Sequence, residues 1–361
     1  MLAHWQQPSP RDRISGAWRP LPPRDGQLAA AAIRPVLAQL LASPADIQRP
    51  AIELVGPLGI AEAAPGLARL ATDGRHPAAN RSAALAALGA LKADRLSAVV
   101  EHAAADPEPL VRAAAVRLAA GLPPDKALPL VTRTLAGESL PPAQAALAVL
   151  ADLKSPAADK ELARWLDRLL ADQVPPGLQL DLIAAAKRRD TQTLNEKLAQ
   201  HVAARRADDP LAAYRECLEG GDAQRGRRLA HDRVDLSCVR CHRMDEYGGL
   251  VGPSLSNIGA RQSREYLLEA IVLPDRTIAK GFESVLVTTD EGRVISGVVR
   301  SEDGDSLLLV QPDGAPLVVA KASLESRQRS ISPMPADLAG KLTPFELRDL
   351  VEYLASLKRA D

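Results

Sequence analysis

Aromatic residues are nearly missing from this 361-residue chain: three Trp, four Tyr and two Phe make up only 2% of it. Its core must be filled by small and medium aliphatic side chains, which suits closely stacked helices. No charge of one sign is in excess, because 45 Lys and Arg balance 45 Asp and Glu. A neutral chain does not attract polyanions, so nucleic acid and anionic membrane surfaces are excluded as expected partners. The short basic run Lys187-Arg188-Arg189 reads as a solvated helix end. Three cysteines are too few for a disulfide framework. No apolar run is long enough to span a bilayer, so no integral membrane segment is expected. The opening from Met1 to Gln6 also lacks the charged-then-apolar pattern of an export signal. What remains, 46% hydrophobic and 25% charged residues, is ordinary globular composition over a length that suggests two or three domains.

Residues 1–26 read as a proline-rich linker, too dense in proline for a helix. From 27 to 190 the text is helical and repetitive. Arg49-Pro-Ala-Ile52, Arg81-Ser-Ala-Ala-Leu85, Arg112-Ala-Ala-Ala-Val116 and Gln144-Ala-Ala-Leu147 begin 32, 31 and 32 positions apart. Breaks such as Asp106-Pro-Glu-Pro109 and Leu122-Pro-Pro-Asp125 separate the helices. Helix pairs that cannot bury an apolar face alone must stack on their neighbours. The pattern resembles HEAT repeats and implies an α-solenoid; an irregular helical bundle is the competing reading. His76 and His102 read there as surface or cap residues. Residues 191–221 read as connecting helices, with Cys217 a small buried hydrophobe. From 222 to 361 the texture changes. A helix at 224–232 precedes Cys238-Val-Arg-Cys-His242, a Gly-Pro loop follows at 248–253, and a helix spans 263–272. Within an insertion at about 282–331, β-branched runs at 284–289, 293–300, 306–310 and 316–319 flank Asp/Gly turns and predict four strands in two hairpins. The final helix opens with the capping box of Thr343 and Glu346 and has Pro344 at its first position.

Cys238 and Cys241, followed at once by His242, have the spacing of a covalent c-type haem attachment. Two thiols bind one porphyrin, and the imidazole is placed beneath its iron. Zinc is the main competitor, but it wants four ligands and no second Cys/His pair exists. A redox dithiol is the third reading, although no thioredoxin-like βαβ pattern surrounds the motif. A sixth iron ligand is available: of Met1, Met244 and Met334, the last lies in the stiff loop Ser332-Pro-Met-Pro335 before the final helix. Its alternative role is a core gap-filler.

An N-terminal helix, C-x-x-C-H, a Gly-Pro loop, a Met loop and a packed C-terminal helix in this order resemble a class I cytochrome c domain. The 92 positions between His242 and Met334 exceed the minimal domain. Repeats, C-x-x-C-H, strand insertion and Pro-Met-Pro together resemble the haem-binding family of the Planctomycetes and Verrucomicrobia type. The likeness covers 222–361 well and the helical part loosely. It implies one haem c per chain, held by Cys238, Cys241, His242 and Met334. Gly252 and Pro253 would form the loop whose carbonyl orients His242, and Arg261 would meet a haem propionate. Gly226 would let Leu350 and Tyr353 of the last helix approach the first.

The fold expected is therefore mainly α: a HEAT-like solenoid, then a cytochrome c domain with a small β-hairpin or barrel insertion. The leading function is non-catalytic electron transfer from a dehydrogenase donor, upstream or separate, to a downstream redox acceptor. A peroxidase-like haem enzyme would need an open iron position, and a repeat-based binding scaffold is the other alternative. Haem attachment implies a periplasmic or otherwise extracytoplasmic location. The linker-like opening around Trp18-Arg-Pro-Leu-Pro-Pro23 then suggests the C-terminal part of a longer precursor.

Overall fold

A computed structural model describes residues 19–93 and 96–359, together with 5, 6, 8, 15 and 17. Much of the expected linker, including Met1 and Trp18, lies outside the described residues. The chain is mainly helical with one small antiparallel sheet. It divides into two compact units, residues 1–173 with 181–200, and residues 174–180 with 201–361. Among the described residues no helix is long and apolar enough to cross a membrane.

The first unit begins with α1 (Gly26–Ile33) and α2 (Leu37–Leu41). It continues through α3 (Ala45–Val55), α4 (Ala64–Thr72), α5 (Ala78–Ala90), α6 (Ser97–Ala104) and α7 (Pro109–Leu118). It then runs through α8 (Pro124–Leu135), α9 (Leu140–Asp152) and α10 (Pro156–Leu170). The four aligned sequence positions fall on α3, α5, α7 and α9, and these helices pack on one another in that order. The alternate helices form the other side of each pair: α4 packs on α5 and α6, α8 on α9 and α10. Proline at the first or second helical position starts α7, α8, α9 and α10, where its missing N–H costs nothing. The core is aliphatic, as the scarcity of aromatics requires: Ile52, Leu67, Leu85, Leu88, Leu147, Leu150 and Leu162 are fully buried.

Polar side chains tie the helix pairs together. Asn80, buried on α5, donates to the Ala45 carbonyl (3.1 Å) and to Gln48 Oε1 (2.8 Å). Arg81 forms a buried ion pair with Asp106 and donates to the His76 carbonyl at 3.1 Å. The basic run near 188 is not simply solvated. Arg189 of α11 (Pro176–Arg189) is half-buried and donates through Nε to Asp159 (2.6 Å) and through Nη1 to the Leu153 carbonyl (2.7 Å).

Of the expected connecting helices, α12 (Gln192–Ala203) is present. The rest is turns and a single 3₁₀ turn, Arg215–Cys217, rather than a helix. In the second unit follow α13 (Ala223–Asp232), α14 (Cys238–Cys241), α15 (Ile258–Arg261), α16 (Arg264–Val272) and, last in the chain, α17 (Pro344–Ser356). The Thr343–Glu346 capping box is formed at the start of α17. Between α16 and α17 lies a five-stranded antiparallel sheet of β1 (Ser284–Thr289), β2 (Val294–Glu302), β3 (Ser306–Val310), β4 (Pro316–Ala320) and β5 (Leu324–Arg329). Its order is β4-β3-β2-β1-β5, with β4 and β5 at the edges, so its ladders form an open sheet and not a barrel. Four strands match the expected runs; β5, Leu-Glu-Ser-Arg-Gln-Arg, is the fifth. Its mostly polar text lacks an apolar alternation because it is an edge strand with little buried surface. The sheet has a small core of its own in Val285, Val287, Leu307, Leu309 and Val319.

Removing one member of a buried ion pair strands the other charge. Arg81→Ala should lower unfolding stability by about 3–5 kcal/mol, read as a fall in the urea midpoint of the first unit's transition. A loss below about 1 kcal/mol would mean that the pair is solvated.

Candidate functional site

The single turn of α14 sets Cys238 and Cys241 three residues apart, and both line one apolar cavity of about 290 Å³. Its size is near the lower end of ligand pockets, roughly 300–1,000 Å³. Ser237 enters the turn in the left-handed region (φ 52°), and His242 leaves it in extended backbone. The Gly-Pro loop folds back over the turn through three backbone bonds. Gly249 N donates to Val239 O (2.9 Å), Gly252 N to Cys241 O (2.8 Å) and Leu255 N to Arg243 O (2.8 Å). This puts the Pro253 carbonyl 2.8 Å from His242 Nδ1. A carbonyl only accepts, so Nδ1 carries the proton and Nε2 keeps its lone pair. Gly252 lies against the ring: a β-carbon there would stand 2.6 Å from His242 Cε1. Any other residue at 252 would push the imidazole aside.

Met334 lines the same cavity from the loop before α17. Its N–H donates to Ser332 Oγ (3.2 Å), and Ser332 N donates to Asp275 Oδ1 (2.5 Å). The remaining walls are mostly aliphatic, with Leu255 and Ile258 facing Leu267 and Ile271 of α16 and Leu350 and Leu354 of α17. Arg261 is exposed and also borders the cavity, donating to the Ser254 carbonyl (3.2 Å) and the Asn257 carbonyl (3.4 Å). All seven residues singled out in the sequence thus meet at one cavity. Met244, adjacent in sequence to the Cys-His turn, is buried against the same cavity.

Burial pushes the Cys238 and Cys241 thiols above their ordinary range. Burial also lowers the His242 imidazole, partly offset by the Pro253 carbonyl. The donors are therefore neutral at neutral pH: two protonated thiols, an imidazole and a thioether. A redox dithiol works through a lowered thiol pKa, opposite to what is found here. Among the described residues no three His, Cys, Asp or Glu side chains gather to hold a metal ion. Cys217 is buried, its thiol pushed up to about 12 by desolvation, and plays no part in the site.

Sequence reasoning missed the wall made by residues 274–282. Pro274, Ile278 and Phe282 line the cavity, with Tyr266 from α16. The spacing of Leu267, Ala270 and Ile271 on α16 is a legible apolar face, but 274–282 is irregular and carries no period. No family model matches the chain, and no curated protein matches it either.

Gly252→Ala should break the His242–Pro253 bond. By NMR the Nδ1 proton of His242 should be protected from exchange in the wild type and exchange rapidly in the variant. Its persistence would show that the loop yields and the ring stays in place.

Proposed function

We propose that the second unit is a cytochrome c domain that carries one covalent haem and transfers electrons. The observation that carries this reading is the convergence of Cys238, Cys241, His242 and Met334 on one apolar cavity, although 92 positions separate His242 from Met334. The donor set fits the group. Cys238 and Cys241 would form the two thioethers. His242 offers an Nε2 lone pair held in place by the Pro253 carbonyl, and Met334 offers a soft neutral sulfur. A porphyrin brings four nitrogens of its own, so His242 and Met334 would be the only ligands the chain need supply to its iron. Arg261, exposed beside the cavity, suits a propionate.

When bound, such a group supplies one-electron chemistry between ferric and ferrous iron. His242 and Met334 would both hold the iron, which would leave little room for peroxide or oxygen to bind, so the unit is proposed as a carrier. The aliphatic walls exclude water, and thioether ligation favours the ferrous state and raises the potential. That suits accepting electrons from a dehydrogenase and passing them to a downstream acceptor outside the cytoplasm. The first unit is proposed as a HEAT-like α-solenoid, supported by the successive packing of α3, α5, α7 and α9 at a period near 32. The whole arrangement is proposed to belong with the haem-binding family of the Planctomycetes and Verrucomicrobia type.

Produced with c-type maturation machinery, the protein should keep its haem through acid-acetone extraction, and Cys238→Ala or Cys241→Ala should leave one thioether. Met334→Ala should lower the reduction potential, abolish the sulfur-to-iron charge-transfer band and let carbon monoxide bind the reduced form readily. Clean loss of haem from the wild type would sink the reading. Wild type binding carbon monoxide as fast as the variant would place the site among open-position haem enzymes.

A further inference from the structure

We infer that the five-stranded sheet is a bracket between the two loops that carry Pro253 and Met334, with Ser284 and Arg300 as its positioning residues. The inference rests on the haem-site reading above. Ser284, at the start of β1, is 3% exposed, and its hydroxyl donates to the Ile331 carbonyl at 2.5 Å. Its own carbonyl accepts from Ser330 N at 2.9 Å. The backbone is thus pinned to the sheet three residues before Met334. On the other side, Arg300 of β2 donates to the Leu250 carbonyl, three residues before Pro253. The same guanidinium stands 5.2 Å from the centroid of the Phe282 ring, which lines the cavity. In the β3–β4 turn, a β-carbon on Gly314 would lie 3.8 Å from Val251 of the Gly-Pro loop.

These tethers are mechanically close. Ser284 pairs across the β1–β2 ladder with Val298, two residues from Arg300, and Val299 N donates to the Glu283 carbonyl at 3.2 Å. A single rung of a hydrogen-bonded ladder therefore joins the anchor of one loop to the anchor of the other. Both loops are irregular; the bonds to the Cys-His turn and to Asp275 hold each one locally, while the sheet joins one loop to the other. A ladder resists stretching where loops do not, so the sheet sets how far the Met334 sulfur stands from the His242 side. The insertion acts on the site by holding its walls, and neither Ser284 nor Arg300 needs to touch the bound group.

The test uses the full chain matured with haem, as wild type, Ser284→Ala, Arg300→Ala, Arg300→Lys and the Ser284/Arg300 double variant. Ser284→Ala should speed carbon monoxide binding to the reduced form by about five- to tenfold, the factor a lost hydrogen bond allows. Arg300→Ala should raise hydrogen exchange at the amides of Gly249, Gly252 and Leu255 and shift the reduction potential, with Arg300→Lys partly restoring both. The double variant should fall short of the sum of the singles, because the two tethers lie in series on one ladder and losing either already breaks the connection. Amides of the β3–β4 pair should stay protected, showing that the sheet remains folded. Unchanged exchange at 249–255 in Arg300→Ala, with ligand rates altered by less than about twofold in Ser284→Ala, would overturn the bracket. Arg300 is exposed, so its variant decides the matter even if Ser284→Ala melts the sheet. Absence of haem from the wild type would instead refute the haem reading, while the exchange arm, run on that same chain, still decides the bracket.

Discussion

At position 226 helices α13 and α17 cross so closely that a β-carbon would overlap the Asp349 carbonyl and lie 2.7 Å from Tyr353 Cβ. Glycine is required there by contact and not by backbone conformation. The crossing is locked by charge. Asp349 is 4% exposed, yet its carboxylate accepts from Asp222 N (2.7 Å) and from Arg225 Nε (2.6 Å) and Nη2 (3.1 Å). A buried carboxylate with this many charge-assisted partners holds two helices in one register. From that register the rest of the second unit follows. Next to it on α17, and one turn further, Leu350 and Leu354 line the cavity. Glu352 receives a two-pronged contact from Arg264 (2.8 Å each), drawing in α16 with Leu267 and Ile271. At the other end of α13, His231 meets the Tyr353 hydroxyl at 2.9 Å just before the chain turns into the cysteine motif.

The site's chemistry is set by desolvation more than by charge. Burial disfavours thiolate and imidazolium alike, leaving Cys238, Cys241 and His242 neutral in a mostly aliphatic cavity. Under the proposed function this suits covalent attachment, since thioether formation consumes neutral thiols and leaves no buried charge. The His242 hydrogen bond then matters more than it would in water, because nothing else competes for Nδ1 in that surrounding.

What could be read in the sequence was whatever depends on local chemistry. The capping box at Thr343, the Cys-His turn, the Gly-Pro loop and the 32-residue spacing are all short-range patterns, and each maps onto an element or loop of the structure. The meeting of Met334 with His242 at one cavity was legible by choosing among three methionines and from the stiff Pro-Met-Pro loop, since no spacing rule links residues so far apart. β5 was invisible because an edge strand needs little apolar surface. Asp275, Ser284 and Arg300 were invisible for a different reason. Each acts through a backbone carbonyl or amide of a distant loop, and backbone partners leave no mark in the sequence. Arg189 was misread for the same reason: its partners are the Leu153 carbonyl and Asp159, thirty or more positions away.

The repeat period also has a physical basis beyond stacked apolar faces. Arg81 and Arg112, at equivalent positions of successive units, converge on one stretch of chain. Arg81 pairs with the Asp106 carboxylate, while Arg112 Nη1 donates to the Asp106 carbonyl (2.8 Å) and the Pro107 carbonyl (2.7 Å). The same carboxylate accepts from Glu108 N at 2.9 Å, ordering the chain as it enters α7. The break between α6 and α7 is thus gripped by Arg81 of α5 and by Arg112 of α7 itself. Arg49, one unit earlier, pairs instead at the surface with Glu53 (2.9 Å). Of these two arginine pairs, the one at Asp106 is buried and the one at Glu53 is exposed, so the first ties its neighbours more firmly.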